Sequence, residues 1–174
     1  AAEEQDRVRI AQWADGVTGT VLDAGCGPGH WSSYLHHRGV AVEGIDIVPE
    51  FIARAGVAYP DVPFRTGSLH TLDVPDESLG GVLAWYSLIH STPAEVGVIL
   101  GEFRRALPPG GRLLLGFFEG ADAEEFPHAV VTARYWSIDG MSGLLDRAGF
   151  SVVDVESRQD PGRRAHASLS AVAV

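Results

Sequence analysis

The stretch VLDAGCGPGHW, residues 21–31, constrains the fold more than any other part of the chain. An apolar run of strand type meets Asp23, and Gly25, Gly27 and Gly29 follow within five positions. Glycines spaced this way directly after a strand predict a tight strand-to-helix turn. Without a Cβ the backbone can bend sharply there and approach a ligand. The helix starting near His30 turns its free amides towards the same point.

The rest of the chain repeats strand and helix. EEQDRVRIAQWADG places Val8, Ile10, Ala11 and Trp13 at roughly helical spacing before Gly16. TVLDAG is a strand, HWSSYLHHRG a helix closed by Gly39, VAVEGIDI a second strand and PEFIARAGVAYP a helix opened by Pro49. VPFRTGS and GGVLAWYSLIH are expected as the third and fourth strands. STPAEVGVILGEFRRALPPGG is a helix with a capping-box pattern at Thr92 and Glu95, and RLLLGFF is the fifth strand. Residues 119–136 show no clear periodicity. Met141, Leu144, Leu145 and Ala148 share one helical face before Gly149, and FSVVDVES and HASLSAVAV close the chain as two strands around a DPG turn. Alternating strands and helices predict an α/β, doubly wound sheet, mostly parallel, with an antiparallel strand at the C-terminal end.

Composition narrows the class. A chain of 174 residues, 45 % hydrophobic and 21 % charged, reads as one soluble domain over residues 1–174. No apolar run reaches the ~20 residues of a membrane span, and no signal-peptide pattern opens the chain. The single cysteine, Cys26, rules out an internal disulfide and a thiolate metal site, so a cytoplasmic protein without a metal is expected. A formal net charge of −10 disfavours nucleic acid and anionic membranes as partners. Every basic residue is arginine, which removes Schiff-base and lysine general-base chemistry.

The turn does not suit a dinucleotide or a nucleoside triphosphate. Counted from Gly25, the last glycine of the nicotinamide fingerprint falls on His30, and a P-loop needs a lysine. Asp23 would repel a phosphate and welcome a cation. LDAGCGPG, Asp46 at the end of the second strand, LPPGGRLLL and the terminal strand pair resemble the class I S-adenosylmethionine-dependent methyltransferases over nearly the whole chain. DVPDESLGGVLAWYSLIH is similar to their small-molecule, quinone and natural-product branch.

That resemblance implies a Rossmann-like sheet of seven strands, S-adenosylmethionine as cofactor and S-adenosylhomocysteine as product. It implies Asp23 near the methionyl amino group, and Gly25, Cys26, Gly27 and Gly29 lining methionine and ribose. Asp46 would hold the ribose diol, with Ile47 against adenine, Ser68 and Leu69 on its far side, and Ala84 and Trp85 at the methionine end. Ser68 stands where the family usually has an acid, so weaker cofactor affinity is expected.

Catalysis of methyl transfer needs an acceptor held in line behind the methyl, and a base is optional. Tyr86 and His90, after the fourth strand, are the candidates, and His90 could equally cap or pack against the following helix. Phe118, His128 and Tyr135 are candidates for a small-molecule substrate site, whereas Arg134 reads as loop packing and Arg163 and Arg164 as a solvated turn. Fewer than twenty residues precede the first strand, so an N-terminal lid is expected to be short, missing or supplied by a partner subunit. The oligomeric state is open. Two other functions remain: a non-methylating reaction on the same cofactor, such as a cyclisation or rearrangement, and a cofactor-binding regulatory module.

Overall fold

The computed structural model describes residues 2–128 and 131–174. Its elements run α1 (Ala2–Asp15), β1 (Val21–Ala24), α2 (His30–His37), β2 (Val42–Asp46), α3 (Pro49–Ala58), β3 (Phe64–Thr66) and β4 (Gly81–Trp85). They continue with α4 (Pro93–Ala106), β5 (Arg112–Phe118), β6 (Glu125–His128), β7 (Val131–Arg134), α5 (Ile138–Arg147), β8 (Phe150–Arg158) and β9 (His166–Ala173). Seven strands form one sheet in the order β3-β2-β1-β4-β5-β9-β8. The first five are parallel, and β9 pairs antiparallel with both β5 and β8. The strand order reverses beside β1, so a crevice opens beyond the carboxyl ends of β1 and β4, where open α/β sheets take ligands.

Period-two alternation fills both faces. Val21, Leu83 and Leu114 pack with Ile10, Trp13 and Leu35 on the side of α1 and α2. Leu22, Val82, Ala84, Leu113 and Leu115 point the other way, into Val96, Ile99, Leu100, Phe103, Met141 and Leu145 of α4 and α5. The capping box on α4 forms as the sequence implies: Thr92 Oγ1 accepts from the Glu95 N–H, and Glu95 accepts from the Thr92 N–H at 2.8 Å. Trp136 is buried, as its place before α5 suggests.

Two expectations change. The fourth strand ends at Trp85, short of His90, because Tyr86 adopts a left-handed φ of 59° and turns the chain away from the sheet. The segment 119–136 contains a two-stranded hairpin, β6–β7, with Phe126 opposite Ala133. Arg163 and Arg164 lie exposed in the turn before β9, as expected, and Arg164 also makes contacts there: its Nε donates to the Tyr135 hydroxyl at 3.1 Å, and its guanidinium lies 4.3 Å from the Phe126 ring centre.

Candidate functional site

The glycine turn is pinned to the neighbouring strand. The Gly25 and Cys26 N–H groups donate to the Ile45 carbonyl at 2.8 and 2.9 Å, which folds the loop over the end of β2. Gly25 has φ +78°, and a Cβ there would stand 2.4 Å from Ser87 Cβ. Gly27 has φ +54°, and a Cβ there would meet nothing within 4 Å. The first position is packed against protein, whereas the second borders open space where a ligand could touch the backbone. Gly29 caps α2 in a left-handed conformation and lies against Phe64.

Asp46 joins the turn to β2. One carboxylate oxygen accepts from the Gly27 N–H and the other from the Val48 N–H, each at 2.9 Å. About four lone-pair sites exist on a carboxylate, so two hydroxyls could still be accepted by an acid already held in position. Next to it Ile47 is 67 % exposed, an apolar surface for a flat ring to cover. Ser87 Oγ, beside Gly25, is buried without a hydrogen-bond partner. The open cradle at Gly27, the anchored Asp46 carboxylate and the bare Ile47 side chain fit a ribonucleoside.

Asp23, which the resemblance sets near the methionyl amino group either directly or through water, is buried at the end of β1. It points to the face covered by α2, is 2 % exposed, and accepts from Ser32 Oγ at 2.6 Å. Burial pushes its carboxyl from 3.8 up to about 6, although the Ser32 hydrogen bond acts against the rise. Little of its surface is left for direct contact with an ammonium group. A group whose folded pKa is raised binds more protons folded than unfolded between the two values. Stability therefore falls as pH rises from about 4 to about 6, by on the order of 3 kcal/mol. Asp23→Asn, which keeps an acceptor for Ser32, is expected to flatten that slope. Urea melts across this pH range check it, and an unchanged slope would assign the decline elsewhere.

Burial and the nearby carboxylates raise the Cys26 thiol, so it is no nucleophile at neutral pH. Ser68 Oγ accepts from the His70 N–H at 3.1 Å in a local turn, which leaves the hydroxyl a second lone pair. Leu69 and Ala84 both pack on the α4 side, and Ala84 is 1 % exposed, so only its backbone reaches the crevice. Trp85 turns to the α1 side, edge-on to Tyr86 at 5.5 Å, with its indole N–H near Asp6 but without a hydrogen bond of normal geometry.

The catalytic and substrate candidates gather into one aromatic cluster. The Phe118 ring lies 5.0 Å from Tyr86, 5.4 Å from His128 and 5.5 Å from Phe126, and Tyr135 stacks on Phe126 at 4.3 Å. The His90 and His128 rings are 6.0 Å apart. His90 Nδ1 donates to the Thr132 carbonyl at 2.8 Å, which leaves Nε2 as the lone-pair nitrogen. Arg134 donates to the His90 carbonyl and to Glu125, the loop-packing role expected of it. The sequence reading missed His166. It is the first residue of an antiparallel strand, and such a residue lands at the carboxyl ends of the parallel strands. Its partner in the register is Phe118. Among the described residues, no group of three His, Cys, Asp or Glu side chains gathers to hold a metal, and no helix is long and apolar enough to cross a membrane.

Residues 21–111, just over half of the chain, match the methyltransferase-domain family, and the match spans the glycine turn, Asp46 and β4. The chain belongs to the methyltransferase family. A solved methyltransferase of this fold, the Burkholderia thailandensis 1,6-didemethyltoxoflavin N1-methyltransferase with bound S-adenosylhomocysteine, superposes with a TM-score of 0.81. It is 26 % identical, with 97 % of this chain and 76 % of that one covered. Among curated relatives, an S-adenosyl-L-methionine-dependent Diels-Alderase of Talaromyces variabilis is 31 % identical over 79 % of this chain and 54 % of its own length. The 2-heptyl-1-hydroxyquinolin-4(1H)-one methyltransferase of Mycobacteroides abscessus is 30 % identical over 72 % of this chain and 62 % of its own. This methyltransferase chain spans about half the length of the curated relatives it matches. S-adenosylmethionine is the family cofactor, and the Gly27–Asp46–Ile47 cradle suits it.

Proposed function

We propose that the chain is an S-adenosylmethionine-dependent methyltransferase that acts on an oxygen, nitrogen or carbon nucleophile of a small molecule. The reading treats residues 1–174 as one cofactor-binding domain working in the cytoplasm without nucleic-acid or membrane partners. Its main support is the Asp46 carboxylate held at the open Gly27 turn in a methyltransferase-family sheet. When bound, the cofactor supplies a methyl group on a sulfonium, whose neutral thioether leaves readily.

The residues around the crevice divide the remaining work. Gly25 and Gly27 bring the backbone close to the methionine and ribose, Asp46 accepts the diol, and Ile47 covers adenine. Phe118, His128 and Tyr135 form the aromatic wall against which a planar acceptor would stack. Tyr86 and His90 stand where the acceptor's proton would leave. If His90 Nε2 takes that proton, His90→Ala is expected to lower turnover about 100-fold with little change in cofactor affinity. Turnover at the wild-type level would pass that task to the Tyr86 side of the cleft.

The Diels-Alderase relative favours a second reading, in which the cofactor is bound but not consumed. Mass spectrometry of a small-molecule panel incubated with the chain and methyl-labelled cofactor separates the two. Label in the product with release of S-adenosylhomocysteine supports methyl transfer. A rearranged product with the cofactor intact supports the second reading and overturns the first.

A further inference from the structure

On the α1 side of the crevice a cavity of about 520 Å³ opens between the N-terminal part of α1 and the ends of β4, β8 and β9. Asp6, Trp85, Tyr86, Arg158 and His166 are part of its lining. Two of these side chains are joined: the Tyr86 hydroxyl and His166 Nδ1 share a hydrogen bond of 2.6 Å. Sheet register brings them together. The Tyr86 N–H donates to the Gly116 carbonyl at 2.9 Å, and β9 sets His166 opposite Phe118, two residues further along β5. Tyr86 is held there at φ 59°, a conformation that costs a bulky residue about 1–3 kcal/mol and persists where its surroundings impose it. The Phe118 ring closes the group, 5.0 Å from Tyr86 and 5.2 Å from His166.

We infer that Tyr86 and His166 form a proton-transfer pair at the acceptor pocket, with Tyr86 touching the acceptor and His166 receiving the proton through it. The inference rests on the methyl-transfer reading above. As the acceptor X–H bond gives its proton to Tyr86 Oη, the Tyr86 O–H passes its own proton to His166 Nδ1. The acceptor's electron pair forms the new bond to the methyl carbon, and the electrons of the broken carbon–sulfur bond remain on sulfur as a neutral thioether. Tyr86 ends neutral and His166 ends as a cation.

The surroundings suit a pair that rests neutral. Burial raises the Tyr86 hydroxyl and lowers the His166 imidazole, so both rest neutral, and the pair works in the tautomer that holds the His166 proton on Nε2 and leaves Nδ1 to accept from Tyr86. Charged groups of both signs face His166: Asp6 from α1, Arg158 from β8, and Asp160 and Arg163 from the turn that follows. The two carboxylates favour the cation formed in the transfer, and the two guanidiniums oppose it. Asp6 itself accepts from Arg158 at 3.3 Å.

The test is histidine-ring NMR and calorimetry on the full chain saturated with S-adenosylhomocysteine, with 4-nitrophenol as an acidic phenolic probe. His166 is expected to titrate below the usual value of about 6.5 in the free protein, and at higher pH with the probe bound. Tyr86→Phe keeps the ring against Phe118 and is expected to abolish that rise. It and His166→Asn should each weaken the probe about tenfold and leave S-adenosylhomocysteine affinity unchanged. Failure of the wild type to bind the probe, wild-type affinity for the probe in either variant, or an unmoved His166 titration overturns the pair. S-adenosylhomocysteine binding in the same samples reports the methyl-transfer reading separately, since its loss in the wild type would remove that reading's support.

Discussion

Asp46→Ala is expected to weaken S-adenosylhomocysteine binding by about 1.5 kcal/mol or more, tenfold at least. The substitution removes the acceptors of the ribose diol and, with them, the two hydrogen bonds that fix the turn to β2. Hydrogen bonds to a charged acceptor are each worth about 1.5–3 kcal/mol, so the loss is large even though Asp46 is only half-buried. Some of it would come from a loosened Gly27. Asp46→Asn separates the contributions, because an amide oxygen can hold one N–H but cannot serve both N–H groups and a diol. Calorimetry on both variants should rank them wild type, Asn, Ala. Equal affinity for all three would remove Asp46 from the site.

Gly25→Ala and Gly27→Ala should fail in opposite ways. At Gly25 the new Cβ would lie 2.4 Å from Ser87 Cβ, an atom bonded directly to backbone, at φ +78°. Neither the clash nor the backbone strain can be relieved locally, and a loss of about 2–4 kcal/mol of folding stability is expected. At Gly27 the Cβ enters open space, so only the left-handed conformation is penalised, by about 1–2 kcal/mol. Its effect falls on the ligand: affinity for S-adenosylhomocysteine should drop at least tenfold while the protein stays folded. Urea melts and titrations on the two variants check the pair. Wild-type affinity in a folded Gly27→Ala would mean that the turn does not touch the ligand.

The sheet was legible because burial on both faces leaves a plain mark. The strands around Leu22, Ile45, Leu83 and Leu114 are short apolar runs between helices of regular period, and the terminal strands broke the alternation where antiparallel pairing begins. The β6–β7 hairpin was not legible. It carries Pro127 and the exposed polar residues Glu125 and Thr132, so it lacks the apolar alternation of a buried strand, and tertiary contacts hold it in place. Two of these are the Arg134 N–H on the Ile89 carbonyl at 2.7 Å and His90 on the Thr132 carbonyl.

For the site, the motif predicts which residues meet but not how they are oriented. Asp46 and Gly27 are adjacent, as the resemblance implies, whereas Asp23 faces α2, since strand alternation rather than the ligand sets its direction. Tyr86 was a candidate through the resemblance, which puts residues facing the methyl near the end of the fourth strand. His166 was not, because its place depends on a register spanning 48 residues between Phe118 and His166.

The most direct test of the central claim is isothermal titration of the wild-type chain with S-adenosylhomocysteine, beside NADH as a control. Saturable binding of the sulfur nucleoside and none of NADH is predicted, since the turn lacks the third glycine of a nicotinamide site and holds Asp46 where a ribose diol would lie. Binding of NADH alone would contradict the account at its first motif.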